Sequence, residues 1–386
     1  MEKIKKIIFI QPHPIHWFSP QFEFIERHGD FDFEVLYCTK HGLNNEVDSG
    51  FGINVDFNVD LLKGYNFKFL KNISFYKKHT DKLLSSINFE IFKHFISNPK
   101  GTIFICHGWS RMTYLMVFLF APFFGMQTGL RSEAPLIHEN KYSSVTKFFR
   151  KIIFKYFLFP RINYFNYIGT QNRLFYKFYG VSDNKLFFLP YCVDNNFFSN
   201  RYKKFLDDGF RRENKSFHQI LFVGKLIDKK NPEGLIKAYI KLNKKNIKLL
   251  IAGDGYLKPI LEKKYIKKIE SGEIQFLGFQ NQDQLCELYT MSDLFVLPSG
   301  YGETWGLVLN EACNFKLPIL VSNRVGSCTD LVLNNGLIFD FEDEIDLYNK
   351  LVIMINNKVN FKKNPIIEYD YNTIIKTLNQ ISKLES

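Results

Sequence analysis

Consecutive apolar runs of Ile, Val, Leu and Phe recur along the chain, separated by longer amphipathic stretches. Runs that are apolar at successive positions suit strands buried on both faces, so the pattern predicts parallel sheets covered by helices. In the first half, strands are expected at 6–11, 33–37, 102–106, 127–130, 164–168 and 185–189. Helices are expected near 20–28, 76–96, 110–124, 141–159 and 171–180. Residues 40–75 show no assignable rhythm. In the second half, strands are expected at 219–223, 248–252, 274–277, 293–297, 318–322 and 337–339. Helices fall near 232–244, 256–270, 282–291, 306–315, 343–356 and 370–384. Residues 191–217 are polar and charged with no helical stripe, which places a domain join there. The expected fold class is α/β, with two Rossmann-like doubly wound domains facing across a cleft. The domains are residues 1–195 and 196–365, with a terminal helix in 366–386 packing back on the first. Ligands of such sheets sit at strand C-terminal ends.

Length and composition agree with this. A chain of 386 residues exceeds one ordinary core. The aromatic load is high, with 42 Phe and 20 Tyr. The net charge of +12 favours an anionic partner, whether nucleic acid, acidic lipid or a phosphorylated small molecule. No nucleic-acid motif accompanies the charge, so nucleic acid is not expected. Cys38, Cys106, Cys192, Cys286, Cys313 and Cys328 include no CxxC pair and sit largely in apolar runs. That usage suits a reducing cytoplasm and argues against a disulfide framework or zinc site. The first apolar run is cut by Gln11-Pro12-His13-Pro14, and the run 115–124 is about half of the ~20 residues a membrane helix needs. No export signal or membrane span is expected.

The densest chemistry lies in 298–330, PSGYGETWGLVLNEACNFKLPILVSNRVGSCTD. A strand ends, a loop carries Gly300, Gly302, Glu303, Trp305 and Gly306, and a helix opens with Leu307 and Val308. Glycines before a helix let a ligand approach the backbone, and first-turn N–H groups suit phosphate. Glu303 and Glu311 are acceptor-only groups when ionised, which fits a polyol. Two glutamates eight apart are common by chance; the strand, glycines and helix head around this pair set it apart. A second strand-to-helix loop, within 220–239, carries Gly224, Lys225 and Lys230 on the same expected sheet edge. Lysines there suit a diphosphate. A third turn, Ala252-Gly253-Asp254-Gly255, is weaker evidence alone.

Together these segments resemble the retaining glycosyltransferases of GT-B fold, family 4, also called glycosyl transferases group 1. The likeness rests on the E-x7-E spacing of Glu303 and Glu311, the VGKL loop, the IAGDG turn and LPILVSNRVGSCTDLV, over 218 to about 345. It is looser across FIQPHPIHWFSPQFEFI and TGLRSE. It implies a nucleotide-diphosphate sugar donor, UDP- or GDP-linked, and no metal or other cofactor. Lys225 and Lys230 would neutralise the diphosphate. Glu303 would hold the transferred sugar and Glu311 the ribose. Gly306, Leu307 and Val308 would offer backbone groups, and Gly224, Gly253 and Trp305 complete the donor set. The acceptor would be a saccharide or a lipid-linked one, in surface polysaccharide, lipopolysaccharide or glycolipid synthesis. A nucleotide-sugar 2-epimerase and a non-catalytic sugar-nucleotide-binding protein are the alternatives.

The sequence departs from the family after strand 127–130. Where many relatives carry histidine, it has Arg131-Ser132-Glu133. Arg131 facing phosphate or sugar, with Glu133 facing the acceptor, weighs equally with an Arg–Glu pair that fixes a loop. His107 ends the preceding strand and joins Arg131 and Glu303 as a catalytic candidate. His16, Trp17 and Ser19 in the first loop suit an acceptor, since sugars stack on indole. Lys147, Arg150, Lys151 and Lys155 form one stripe on the aromatic-rich stretch 147–159, which suits an anionic membrane surface. The expected location is the cytoplasm, peripheral on the inner membrane face.

Overall fold

A computed structural model describes residues 5–43, 52, 59–76, 82–210, 218–356 and 365–384. The chain forms two units. One holds the described residues up to Leu43, those from Val59 to Tyr191 and those from Asp370 onward; the other holds Gly52 and those from Cys192 to Tyr369.

The first unit contains strands β1 (Lys6–Gln11), β2 (Asp32–Tyr37), β3 (Phe67–Phe69), β4 (Ile103–His107), β5 (Gln127–Arg131), β6 (Tyr164–Tyr167) and β7 (Leu186–Phe188). They form one parallel sheet in the order β3-β2-β1-β4-β5-β6-β7. The order reverses between β1 and β4, which makes the loops after those two strands the natural ligand edge. Its helices are α1 (Ser19–His28), α2 (Ile91–Ser97), α3 (Met112–Phe120), α4 (Ser144–Ile152) and α5 (Thr170–Phe178). Residues of α2, α3 and α5 share one buried cluster with Ile8, Phe104, Leu130 and Phe165 of the strands. The other face packs Phe9 and Phe33 on Phe22 of α1. The terminal helix Tyr371–Lys383 joins that side: its Thr377 hydroxyl donates to the Phe188 carbonyl at 2.6 Å, and Asn379 bonds Asp30 at 2.9 Å.

The second unit contains α6 (Asn195–Asp207), β8 (His218–Val223), α7 (Pro232–Leu242), β9 (Ile247–Ala252), α8 (Lys258–Lys264), α9 (Ile266–Glu270), β10 (Ile274–Gly278), α10 (Gln282–Met291) and β11 (Leu294–Leu297). It continues with α11 (Leu307–Asn314), β12 (Ile319–Ser322), α12 (Cys328–Leu331), β13 (Gly336–Phe339) and α13 (Asp346–Asn356). Its parallel sheet runs β10-β9-β8-β11-β12-β13, reversing between β8 and β11.

The apolar runs are strands as expected, with boundaries moved by a residue or so. Three expectations need correction. The helix expected at 76–96 is not continuous: 77–81 lie outside the described residues, a single turn occupies Leu83–Ser85, and α2 begins at Ile91. Between them the buried Asn88 amide donates to the Cys38 and Leu70 carbonyls at 3.0 and 3.2 Å and holds the backbone out of a helix. The short edge strand β3 lies in the stretch with no readable rhythm. Residues 191–217, read as non-helical, contain α6; of the join, 211–217 lie outside the described residues. Asp194 caps α6 by accepting from Phe197 N–H at 2.9 Å, and only Phe198 is fully buried, too narrow a stripe to read. Finally, Arg150 does not belong to the exposed basic stripe. It pairs bidentately with the buried Glu139 at 2.9 and 3.1 Å, fastening α4 to the unit.

Asn88→Ala is expected to take the amide from the Cys38 and Leu70 carbonyls and to leave the Thr113 hydroxyl with the Ser86 carbonyl alone, at a cost of about 2 kcal/mol. The thermal midpoint should fall by about 4–8 °C. An unchanged melting curve would show that the pin is dispensable.

Candidate functional site

At the reversal point of the second sheet, two loops are tied backbone to backbone. Gly300 N–H donates to the Lys229 carbonyl at 2.8 Å, and the Lys229 ammonium donates to the Gly302 carbonyl at 3.1 Å. The first loop follows β8. It ends in α7, which starts at Pro232 with Asn231 as its cap, accepting from Gly234 N–H at 3.2 Å. The second follows β11 and ends in α11, whose cap is Gly306 at φ +88°. A side chain there would be strained, and its Cβ would press on Leu297 and Val325.

Between these loops the Lys230 ammonium bonds the buried Glu303 carboxylate. Burial opposes ionisation of Glu303, but Lys230 and then Lys229 outweigh it, with further help from Ser299, and hold the carboxyl below its ordinary range. The result is a carboxylate and two ammonium groups beside a helix N-terminus, where N–H dipoles converge. Lys225 in the first loop, and Leu307 and Val308 opening α11, are half-buried. Gly253 is required by close approach: a Cβ there would lie 1.9 Å from the Gly224 carbonyl oxygen. Gly224 N–H in turn donates to Ala252 at 3.0 Å, so the GDG turn buttresses the first loop.

Glu311 lies one turn into α11 and accepts from the Tyr289 hydroxyl at 2.7 Å. Burial pushes its carboxyl up to about 7, with the Tyr289 bond pulling the other way. Trp305 needs correction. Its ring is buried against Tyr369 and its indole N–H donates to Asn310 at 2.8 Å, so the side chain belongs to the core and only its backbone remains for a ligand. Lys229 and Tyr289 escaped the sequence reading. Lys229 looked like one more surface lysine, and Tyr289 arrives from α10, with no linear signal linking it to Glu311.

In the first unit, His107 and Arg131 end the neighbouring strands β4 and β5 in register. Arg131 is fully enclosed. Its guanidinium lies over the Tyr191 and Phe18 rings, 4.8 and 5.4 Å from their centroids, and donates to the Pro190 carbonyl at 2.7 Å. That corrects the expectation of a sugar- or phosphate-facing Arg131; it positions the residues around it. Ser19 also needs correction, being buried and donating to the Leu61 carbonyl at 2.7 Å. His16 and Trp17 are half-buried and in edge contact at 4.5 Å.

Glu133 is held by a residue the sequence reading missed. The Tyr191 hydroxyl lies 2.6 Å from both His107 Nε2 and Glu133 Oε1. A carboxylate only accepts, so the single phenol proton goes to Glu133 and the phenol oxygen accepts from His107 Nε2–H. Burial lowers the His107 pKa, and the arrangement requires only that Nε2 carry a proton.

Residues 206–372 match the sequence profile described as Glycosyl transferases group 1. An uncharacterized glycosyltransferase of Methanocaldococcus jannaschii is 40% identical over 121 residues, covering 31% of this chain and 30% of that protein. The Campylobacter jejuni "GalNAc-alpha-(1->4)-GalNAc-alpha-(1->3)-diNAcBac-PP-undecaprenol alpha-1,4-N-acetyl-D-galactosaminyltransferase" is 30% identical over 210 residues, 53% of this chain and 54% of that protein. The matched stretches thus span about a third to a half of these relatives. Among solved structures, Anabaena HepE in complex with UDP and glucose superposes with a TM-score of 0.65 at 14% identity, covering 98% of this chain and 100% of that one. At that identity the likeness establishes the fold, which is GT-B.

The folded Glu311 carboxyl keeps its proton up to about 7, against 4.5 ordinarily. The native state therefore binds more protons between those values, and this contribution to stability is full below about 4.5 and lost as pH rises through 7. Glu311→Gln should flatten the fall in melting temperature between about pH 5 and 8. A pH profile identical to wild type would contradict a buried, proton-retaining carboxyl.

Proposed function

We propose that this chain, which belongs through residues 206–372 to glycosyl transferases group 1, moves a sugar from a nucleoside-diphosphate donor to a saccharide or lipid-linked acceptor. Transfer proceeds with retention and without a metal. The observation that carries this reading is the buried Lys230–Glu303 pair beside the head of α11.

Lys225, Lys230 and the first-turn N–H groups of Leu307 and Val308 receive the diphosphate. Glu303 accepts from hydroxyls of the transferred sugar, and Glu311 from those of the ribose once ionised. The acceptor oxygen bonds the anomeric carbon as the bond from that carbon to the diphosphate oxygen breaks. The acceptor proton passes to the departing diphosphate. Negative charge grows on that leaving group, so the lysines and the helix head stabilise the transition state more than the ground state. HepE was solved with UDP and glucose, which favours UDP over GDP as the donor nucleotide here.

Glu133, oriented by Tyr191 and His107, faces the acceptor, with His16 and Trp17 on the same sheet edge. The undecaprenol-linked substrate in the name of the Campylobacter relative favours a lipid-linked acceptor. The exposed aromatic and lysine side chains of 147–159 then meet an anionic membrane on its cytoplasmic face. Among the described residues, no helix is long and apolar enough to cross a membrane. Products of this kind of transfer are surface polysaccharide, lipopolysaccharide or glycolipid.

Glu303→Gln keeps the side chain's shape and should lower kcat about 100- to 1,000-fold. Thermal stabilisation by UDP should persist, because the lysines remain. Transfer at the wild-type rate, measured by product formation from UDP-sugars, would remove Glu303 from the mechanism. Tyr191→Phe removes the phenol that orients Glu133, leaving the 3.4 Å His107 Nε2 contact, and should raise the acceptor KM about tenfold while leaving the donor KM alone. Equal changes in both constants would mean that Tyr191 serves the fold only.

A further inference from the structure

The helices on one face of the first sheet share a property the local stretch 147–159 does not reveal. After Ile152, α4 continues as a π-helical turn, Ile153–Leu158. The helices α2, α3, α4 with this turn, and α5 are successive crossovers on one face, and their inner residues fill one core cluster. Across all of these stretches there is no Asp or Glu. At the chain's overall acid content, with 39 in 386 residues, about four would be expected there.

The outward side of this layer is apolar and aromatic well beyond α4. Phe123, in the short turn Ala121–Phe124 that follows α3, and Ile96, near the end of α2, are 84% and 73% exposed. Those two helices are joined by the Phe92–Phe120 contact at 5.4 Å. On the other side Lys151 lies 5.9 Å from the centre of the exposed Phe178 ring, linking α4 to α5. Phe148 and Phe157 of α4 and its π-helical turn are each about 60% exposed. Lys93, Lys151 and Lys155 stand exposed among these rings. An apolar surface of this extent marks an interaction site, and its cations exclude a basic partner. A second copy of the same face would set lysine against lysine.

We propose that the whole layer α2–α5, not α4 alone, is the membrane-docking face, and that Phe123 and Ile96 form a second insertion point. Electrostatic adsorption through α4 is one signal, and a single signal gives only marginal, reversible membrane binding. Insertion of the Phe123–Ile96 edge supplies another that salt does not screen. This rests on the membrane reading above, and the two are separable.

The test is co-sedimentation of the full chain with phosphatidylcholine/phosphatidylglycerol vesicles at low and high salt. Lys147→Glu/Lys151→Glu/Lys155→Glu should lower partitioning about 100-fold at low salt. Ile96→Asp/Phe123→Asp should lower it about tenfold and abolish the fraction that survives high salt. Both variants should keep wild-type stabilisation by UDP, which shows that they fold. If the Asp variant sediments like wild type while the Glu variant is lost, the second insertion point is refuted and the α4 reading stands. If wild type fails to bind, both membrane claims fall and sugar transfer is untouched. If the Asp substitutions instead dissolve a dimer seen by analytical ultracentrifugation without changing vesicle binding, the edge is a self-association surface and the proposal is overturned.

Discussion

A buried carboxylate that stays ionised requires cations fixed beside it, and Glu303 with Lys230 and Lys229 meets that requirement at the reversal point of the second sheet. The backbone bond from Gly300 to Lys229 fixes the spacing of the two loops. Neither loop could hold its charge alone: a lone buried carboxylate would take up a proton, and a lone lysine would turn to solvent. The GDG turn enters the same arrangement through glycine, because a larger residue at 253 would overlap the Gly224 carbonyl. The second glutamate shows the contrast. Glu311 has a phenol rather than a cation beside it, and its proton affinity rises to near neutrality.

The first unit solves a related problem by other means. Arg131 ends a central strand with no room to reach solvent, and its charge rests between two aromatic rings and a backbone carbonyl. Tyr191 serves twice: its ring lies against Arg131 and its hydroxyl links His107 to Glu133. Side chains read separately as catalytic or acceptor groups are thus one connected set, with Glu133 the most exposed of the linked residues. Its orientation depends on a phenol 58 residues away in sequence.

The helices α2–α5 of that unit keep Phe, Ile and Tyr exposed while omitting acidic residues. For a surface that met only water, such a choice would favour aggregation. The bidentate Arg150–Glu139 pair holds α4 in place while leaving none of its residues buried, so α4 presents its apolar side chains without spending them on the core.

Apolar runs bounded by glycine and polar turns determined the strands other than β3 by themselves, because a strand buried on both faces leaves a mark that needs no distant partner. The same holds for α11: the glycines, the E-x7-E spacing and the strand before it are local. Tertiary structure decided the rest. Nothing around Trp305, Ser19 or Arg131 in the sequence tells a ligand-facing side chain from an enclosed one, since burial depends on segments that arrive from elsewhere. Tyr191 and Tyr289 became partners of Glu133 and Glu311 only when separate elements packed together. Arg150 left the basic stripe for the same reason, because Glu139 lies on a different segment and a charge pair of that kind exists only in three dimensions.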